Sequence, residues 1–262
     1  LQRFKLIEFF TPQAADMPLE TIHLFDSATL AQLDEKNLLS DRRDVKYVFP
    51  KQIAEDVLER CRCHYNVLDI NGIRAFGYHT AYYDTPDLRF YKEHHRGKLS
   101  RAKVRVRKYL DSNQSFVELK IKNNKDKTIK TRVAGNYVGV AADMILERAG
   151  ISAEALIESM TIQYKRITLV HKTKSEKLTL DFDMLMKHNE SEVSFPELCF
   201  AEVKTEAHQR TDFCMIMKKL KIREGSTSKY CLGIVGLHPE IKKNNFKLPL
   251  GRIYKTQANE DF

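Results

Sequence analysis

Three neighbouring stretches of the chain place charged side chains at every second position. Lys103, Arg105 and Arg107 alternate with Val104 and Val106, and Glu118, Lys120 and Lys122 alternate with Leu119 and Ile121. Lys130 and Arg132 then alternate with Ile129, Thr131 and Val133. Successive side chains of an extended strand point to opposite faces, so each stretch has one apolar and one ionic face. Lysines and arginines broken by single carboxylates suit one kind of chemistry. The cations neutralise the oxygens of an oligophosphate, and a carboxylate anchors a divalent metal ion that bridges them. The plain alternative is the wet outer face of an antiparallel sheet.

The elements that would position these residues repeat the pattern. Arg42, Asp44 and Lys46 oppose Val45, Tyr47 and Phe49 in a strand closed by Pro50. Tyr164, Arg166 and Thr168 share a face, as do Lys177, Thr179, Asp181 and Asp183, and as do Glu202, Lys204 and Glu206. Arg74 to Tyr83 reads as a further strand, and the DTPD turn after it leads into a short strand and a basic loop, LRFYKEHHRGK. One wet face is ordinary. Nearly every strand carrying one favours oily faces packed outward, with the charges inside. The fold class expected is α+β: an eight-stranded antiparallel β-barrel with flanking helices. Burying so many charges costs several kcal/mol per ion, so such a lumen calls for water, metal and a bound anion.

Helices are expected around Leu30, Leu33 and the Leu38–Leu39 pair, with Ser27 as N-cap, and over Lys51 to Tyr65, where Ile53, Val57, Leu58 and Cys61 form a stripe. Val138 to Ala149, stopped by Gly150, Ile151 to Ser159 and Asp212 to Lys221 also read as helices. The expected organisation is an N-terminal helical segment over residues 1–40, a barrel over 41–236 and a basic surface tail over 237–262.

The 262 residues carry a net charge of +9, with 42% hydrophobic and 30% charged residues, which suits a globular chain with an anionic partner. Five scattered cysteines make no disulfide framework and point to reduced thiols. There is no signal peptide and no apolar run near the ~18 residues of a membrane span. A cytoplasmic setting is expected, with a membrane-protein partner conceivable through the basic surface. Neither a phosphate-binding P-loop, a dinucleotide fingerprint nor the kinase motif set is present. His94–His95 is not spaced for zinc and reads as a solvated pair. Tyr109, Tyr164 and Phe182 do not interleave with the cations as single-stranded nucleic acid requires, so no nucleic-acid partner is expected.

In order, the segments RRDVKYVF, YYDTPDLRFY, KVRVRKY, ELKIK, YKRITLV, LTLDFD, AEVKTE and SKYCLG resemble the triphosphate tunnel metalloenzymes (CYTH-like proteins), and among them the VTC-type polyphosphate polymerase domain. RRDVKY stands where the wider superfamily has ExExK, which points to the VTC branch. The resemblance implies an eight-stranded tunnel in which the γ-phosphate of ATP passes to a growing inorganic polyphosphate chain, with Mn²⁺ or Mg²⁺ as cofactor. It implies that Lys46, Arg105, Arg107, Lys120, Arg166, Lys204 and Lys229 are phosphate ligands, with Lys122, Lys130, Arg132 and Lys177 behind them. Arg105, Arg107, Arg166, Lys120 and Glu202 would form the catalytic group, Glu202 as the metal carboxylate. Tyr164 and Ser228 would donate hydrogen bonds to phosphate. A stand-alone, bacterial-type member is the form expected. A tripolyphosphatase in the same tunnel and a non-catalytic polyphosphate binder are the alternatives, and the oligomeric state is open.

Overall fold

The structure is a computed structural model that describes residues 19–37, 42–124, 128–206, 211–225 and 228–257. The Leu38–Leu39 pair and most of the N-terminal segment lie outside the described residues. In chain order the strands are β1 (Ser27–Ala28), β2 (Arg42–Pro50), β3 (Tyr65–Leu68), β4 (Ala75–Asp84), β5 (Arg101–Tyr109), β6 (Gln114–Lys122), β7 (Thr128–Ala134), β8 (Ile157–His171), β9 (Glu176–His188), β10 (Ser191–Phe195) and β11 (Leu198–Glu206). The helices are α1 (Leu30–Asn37), α2 (Ala54–Arg62), α3 (Arg89–His95), α4 (Ala142–Ala149), α5 (Asp212–Lys219), α6 (Lys229–Leu237) and α7 (Lys247–Gln257).

Eight strands hydrogen-bond in the order β2-β11-β9-β8-β4-β5-β6-β7, every neighbouring pair antiparallel. The end strands β2 and β7 do not pair, so the sheet is curled without closing. The curl shows in the charges. Lys120 on β6 and Lys204 on β11 stand five strand spacings apart, about 24 Å on a flat sheet. Yet, after burial, Lys204 is the strongest influence lowering the pKa of Lys120. The free edge of β2 is partly taken by a loop, where the Gly225 amide donates to the Lys46 carbonyl at 2.8 Å.

The oily faces point outward and are covered. Val45, Tyr47, Phe49, Leu178, Leu180 and Val203 pack against α2 and α5 through Val57, Leu58, Phe213 and Met217. Val104, Val106, Val117 and Leu119 pack beneath Ile145 of α4. At one end the inner face itself turns apolar: Val48, Tyr78, Tyr164 and Phe200 join Tyr230 and Ile234 of α6 and Leu250 and Ile253 of α7. That end of the barrel is filled.

Several local expectations are corrected. LRFYKEHHRGK is not a strand and loop, because Asp84 and Thr85 cap a helix there. Asp84 accepts from the amides of Phe90 and Tyr91, and Thr85 Oγ1 from that of Arg89. His95 is accordingly not solvated; it is buried against Tyr91 and Phe246. The helix after Pro50 stops at Arg62, and Tyr65 to Leu68 pairs with β8 as a strand. Ile151 to Ser159 holds only a single tight turn at Ala153–Ala155 before β8 begins. Thr29, not Ser27, caps α1, its Oγ1 accepting from the Gln32 amide. Within the stretch expected as a basic surface tail, residues 247–257 form helix α7, anchored by buried Leu250 and Ile253.

The two faces of β6 differ in their consequences for stability. Leu119→Ala, on the covered face, is expected to cost about 2–5 kcal/mol. Lys120→Ala, on the inner face, is expected to be neutral or stabilising, because it removes like-charge repulsion. Urea denaturation of the two variants checks this, and equal costs would contradict the assignment of faces.

Candidate functional site

The ionic faces meet inside the curl. Strand register sets the cations side by side: Lys46 opposite Glu202, Lys204 opposite Lys177, Arg166 opposite Asp181, Arg105 opposite Glu118 and Lys103 opposite Lys120. Two carboxylates, each 1% exposed, hold the arginines in place. Glu118 pairs with Arg105 at 2.5 Å and Lys130 at 2.8 Å, with Arg107 at 3.8 Å. Asp181 receives a two-pronged contact from Arg166 at 2.5 and 2.8 Å, and the Lys229 ammonium at 2.7 Å. Burial would raise both carboxyls, but Arg105 at Glu118 and Arg166 at Asp181 outweigh it and hold both below the usual range. The two groups are therefore fixed anions.

The lysines have less compensation. Desolvation by the surrounding protein, with repulsion from neighbouring cations, pushes Lys103, Lys120 and Lys130 down to about 8 and Lys177 to about 7, although Lys120 and Lys130 remain open to solvent. The same field acts on His94, pushed down to about 3 by burial and then by Lys103 and Arg101. A bore whose lysines sit this close to losing their protons is short of anions, and a bound polyanion would relieve it.

Aromatic and hydroxyl groups floor the ionic zone. Tyr78 and Tyr164 stack with ring centroids 5.2 Å apart, and the Arg166 guanidinium lies over both rings at 5.1 and 5.3 Å. Arg105 also donates to the Tyr82 hydroxyl at 3.2 Å. Ser228 caps α6, its Oγ accepting from the Cys231 amide and from Lys103 Nζ at 2.7 Å, so the first turn of α6 faces the cations. Of the residues expected at the site, Lys46, Arg105, Arg107, Lys120, Lys130, Arg166, Lys177, Glu202, Lys204, Ser228 and Lys229 converge on this bore. Tyr164 lies in the aromatic floor beneath Arg166. Arg132 stands opposite Glu118 in the β6–β7 register and lies over the Phe116 ring at 4.9 Å, and Lys122 is the last residue of β6.

Asp44 and Lys103 belong to the same constellation, although the sequence reading gave them no role. Both were legible as members of the ionic faces, two residues from Lys46 and Arg105. Asp44 is a candidate cation ligand. Its Oδ2 takes the Lys204 ammonium at 3.1 Å, Glu202 takes the same ammonium, and Asp44 Oδ1 is buried with no hydrogen-bond partner. Two adjacent carboxylates with an idle buried oxygen fit a hard divalent cation. Burial would raise the Glu202 carboxyl, but Lys204 and then Lys46 hold it well below its usual value, so it is ionised. A second cluster, His64, His171 and Asp212, lies outside the bore. His171 Nδ1 accepts from the Thr173 and Lys174 amides, its Nε2 meets Asp212 at 2.9 Å, and Lys174 also binds Asp212, so that cluster is satisfied from within.

One solved structure agrees with this fold. A solved structure from Bacillus halodurans, described as a candidate adenylate cyclase, superposes with a TM-score of 0.50 at 14% identity, over 72% of this chain and 94% of its own. An adenylyl cyclase candidate from Hippeastrum, described as having a dominant triphosphatase activity, gives a TM-score of 0.47 at 12% identity, over 74% and 95%. A search of curated proteins finds no match. The VTC domain matches residues 41–238, well over half of the chain. With the eight-stranded curled sheet and its cationic bore, that match identifies the chain as a member of the VTC domain family, carrying the triphosphate tunnel fold.

Proposed function

We propose that the chain transfers the γ-phosphoryl group of ATP to a growing inorganic polyphosphate chain inside the bore, with a divalent cation, Mn²⁺ or Mg²⁺. The observation that carries this reading is the convergence of cations from strands across the whole sheet around the buried carboxylates Glu118 and Asp181. Phosphoryl transfer asks little covalent chemistry of a protein and much positioning and charge stabilisation. Arg105 and Arg107, fixed by Glu118, and Arg166, fixed by Asp181, bracket the transferred phosphoryl from two sides. Because Glu118 and Asp181 already hold these guanidinium groups, little reorganisation is needed as charge develops. Lys46, Lys120 and Lys204 hold the flanking phosphates, Lys229 and the Ser228 hydroxyl meet the chain at the α6 N-terminus, and Lys122, Lys130, Arg132 and Lys177 extend the positive field. Glu202 and Asp44 would hold the metal ion, which would neutralise phosphate oxygens as ADP leaves.

A second reading has its own support. The filled end of the barrel leaves no straight path for a long polymer, which suits a tripolyphosphatase that uses water as acceptor in a blind bore. The two reactions separate by product. With ATP and Mn²⁺, the polymerase reading predicts acid-insoluble phosphate of increasing length. Orthophosphate alone would overturn it in favour of hydrolysis, and no turnover with any divalent cation would leave a polyphosphate binder.

Arg105→Ala and Glu202→Ala are expected to lower turnover on the order of 10²–10³-fold, while circular dichroism reports an unchanged fold. Wild-type rates in either variant would contradict the assigned roles.

The lysines also set a pH dependence. Their pKa values of about 7 to 8 in the free protein leave part of the set neutral at pH 8, and a bound polyanion favours the ammonium form. ATP binding at pH 8 is therefore expected to take up protons and to weaken as pH rises from about 7 to 9. Calorimetry in buffers of different ionisation enthalpy checks this, with the uptake smaller in Lys177→Met. Affinity that rises with pH would contradict it.

A further inference from the structure

Beside the bore, between the edge of β2 and α7, lies a cleft of about 490 Å³, within the roughly 300–1,000 Å³ range of small-molecule sites. It shares Lys46 and Asp44 with the bore, so the two spaces meet at the metal-and-phosphate end of the site. Its remaining lining has a different character. Arg43, Arg223 and Arg252 surround an apolar shelf made by Leu248, Pro249 and the edge of Val48. Leu248 is 79% exposed, an unusual state for a leucine on a helix that otherwise buries Leu250 and Ile253. Arg43 is held by Glu224 at 3.3 Å, while among the described residues no carboxylate pairs with Arg223 or Arg252. The outer wall is α7, which lies beyond the 41–238 span of the family match.

A phosphate chain would make no use of an apolar shelf, and an apolar partner would make no use of three arginines. A flat aromatic ring on a charged stem uses both, since guanidinium groups stack on planar rings and an aliphatic surface covers the opposite face. We infer that this cleft is the nucleoside subsite: it receives the base and ribose of the nucleoside triphosphate whose phosphates enter the bore past Lys46. This rests on the triphosphate reading above and adds what holds the rest of the donor. It also gives α7 a role, as the wall that lets a phosphate-binding bore prefer a nucleotide as donor.

The test compares ATP with inorganic tripolyphosphate by calorimetry on the full chain with Mn²⁺, in the wild type, Arg252→Ala and Leu248→Ser. Both substitutions are at exposed positions, so the fold is expected to survive, and thermal unfolding confirms that. The inference predicts that ATP affinity falls about tenfold in Arg252→Ala, equivalent to about 1.4 kcal/mol, and falls also in Leu248→Ser. Tripolyphosphate affinity stays within about twofold in both. An equal fall for both ligands would make the cleft a phosphate-steering patch, and no fall for either would make it idle; each result overturns the inference while leaving the bore's phosphate site standing. Failure of the wild type to bind tripolyphosphate at all would instead remove the triphosphate reading, and the inference with it.

Discussion

Everything in this molecule depends on keeping like charges close together in a confined space. Glu118 and Asp181 make that possible. Each is buried among arginines and lysines, and each stays ionised because its cations outweigh the cost of its burial. Removing either would leave buried guanidinium groups without a counter-ion, a change that typically costs several kcal/mol. The arrangement compensates the arginines fully and the lysines only in part. The rigid planar forks are thus the fixed part of the site, and on the proposed reading the lysines are the part that would respond to a ligand.

The barrel places this network by turning an ordinary sheet inside out. The oily faces of the strands need covering, and α2, α5 and α4 supply the cover from outside. The inner face stays ionic over the middle of the bore and turns aromatic at Tyr78, Tyr164 and Phe200, where α6 and α7 close it. The same two helices thereby shape the chemistry. The first turn of α6 brings Ser228 and Lys229 to the charged zone, and α7 borders the cleft beside Lys46.

Period-2 alternation made the eight-strand sheet and its ionic faces readable, because the partners of the two faces differ so strongly that the residue types cannot be exchanged. The capped helix α3 was harder to see. Its first amides are satisfied by Asp84 and Thr85 from a turn that reads equally well as a hairpin connection. Strand β3 was hidden because Tyr65, four residues after Cys61, continues an apolar stripe begun on α2. In α7, Pro249 and Gly251 obscured the spacing of Leu250 and Ile253. Asp44 was visible on a charged face, but its idle oxygen and its closeness to Glu202 follow only from strand pairing. The cleft could not be read at all, since Arg43 and Arg252 come from opposite ends of the chain.

Whether a phosphate chain lies in the bore is tested most directly by a crystal structure of the chain with tripolyphosphate. Phosphates are expected between the Arg105–Glu118 and Arg166–Asp181 pairs, with Lys46 and Lys204 at one end and Lys229 at the other. Tripolyphosphate resolved only on the outer surface, with both arginine–carboxylate pairs untouched, would contradict it.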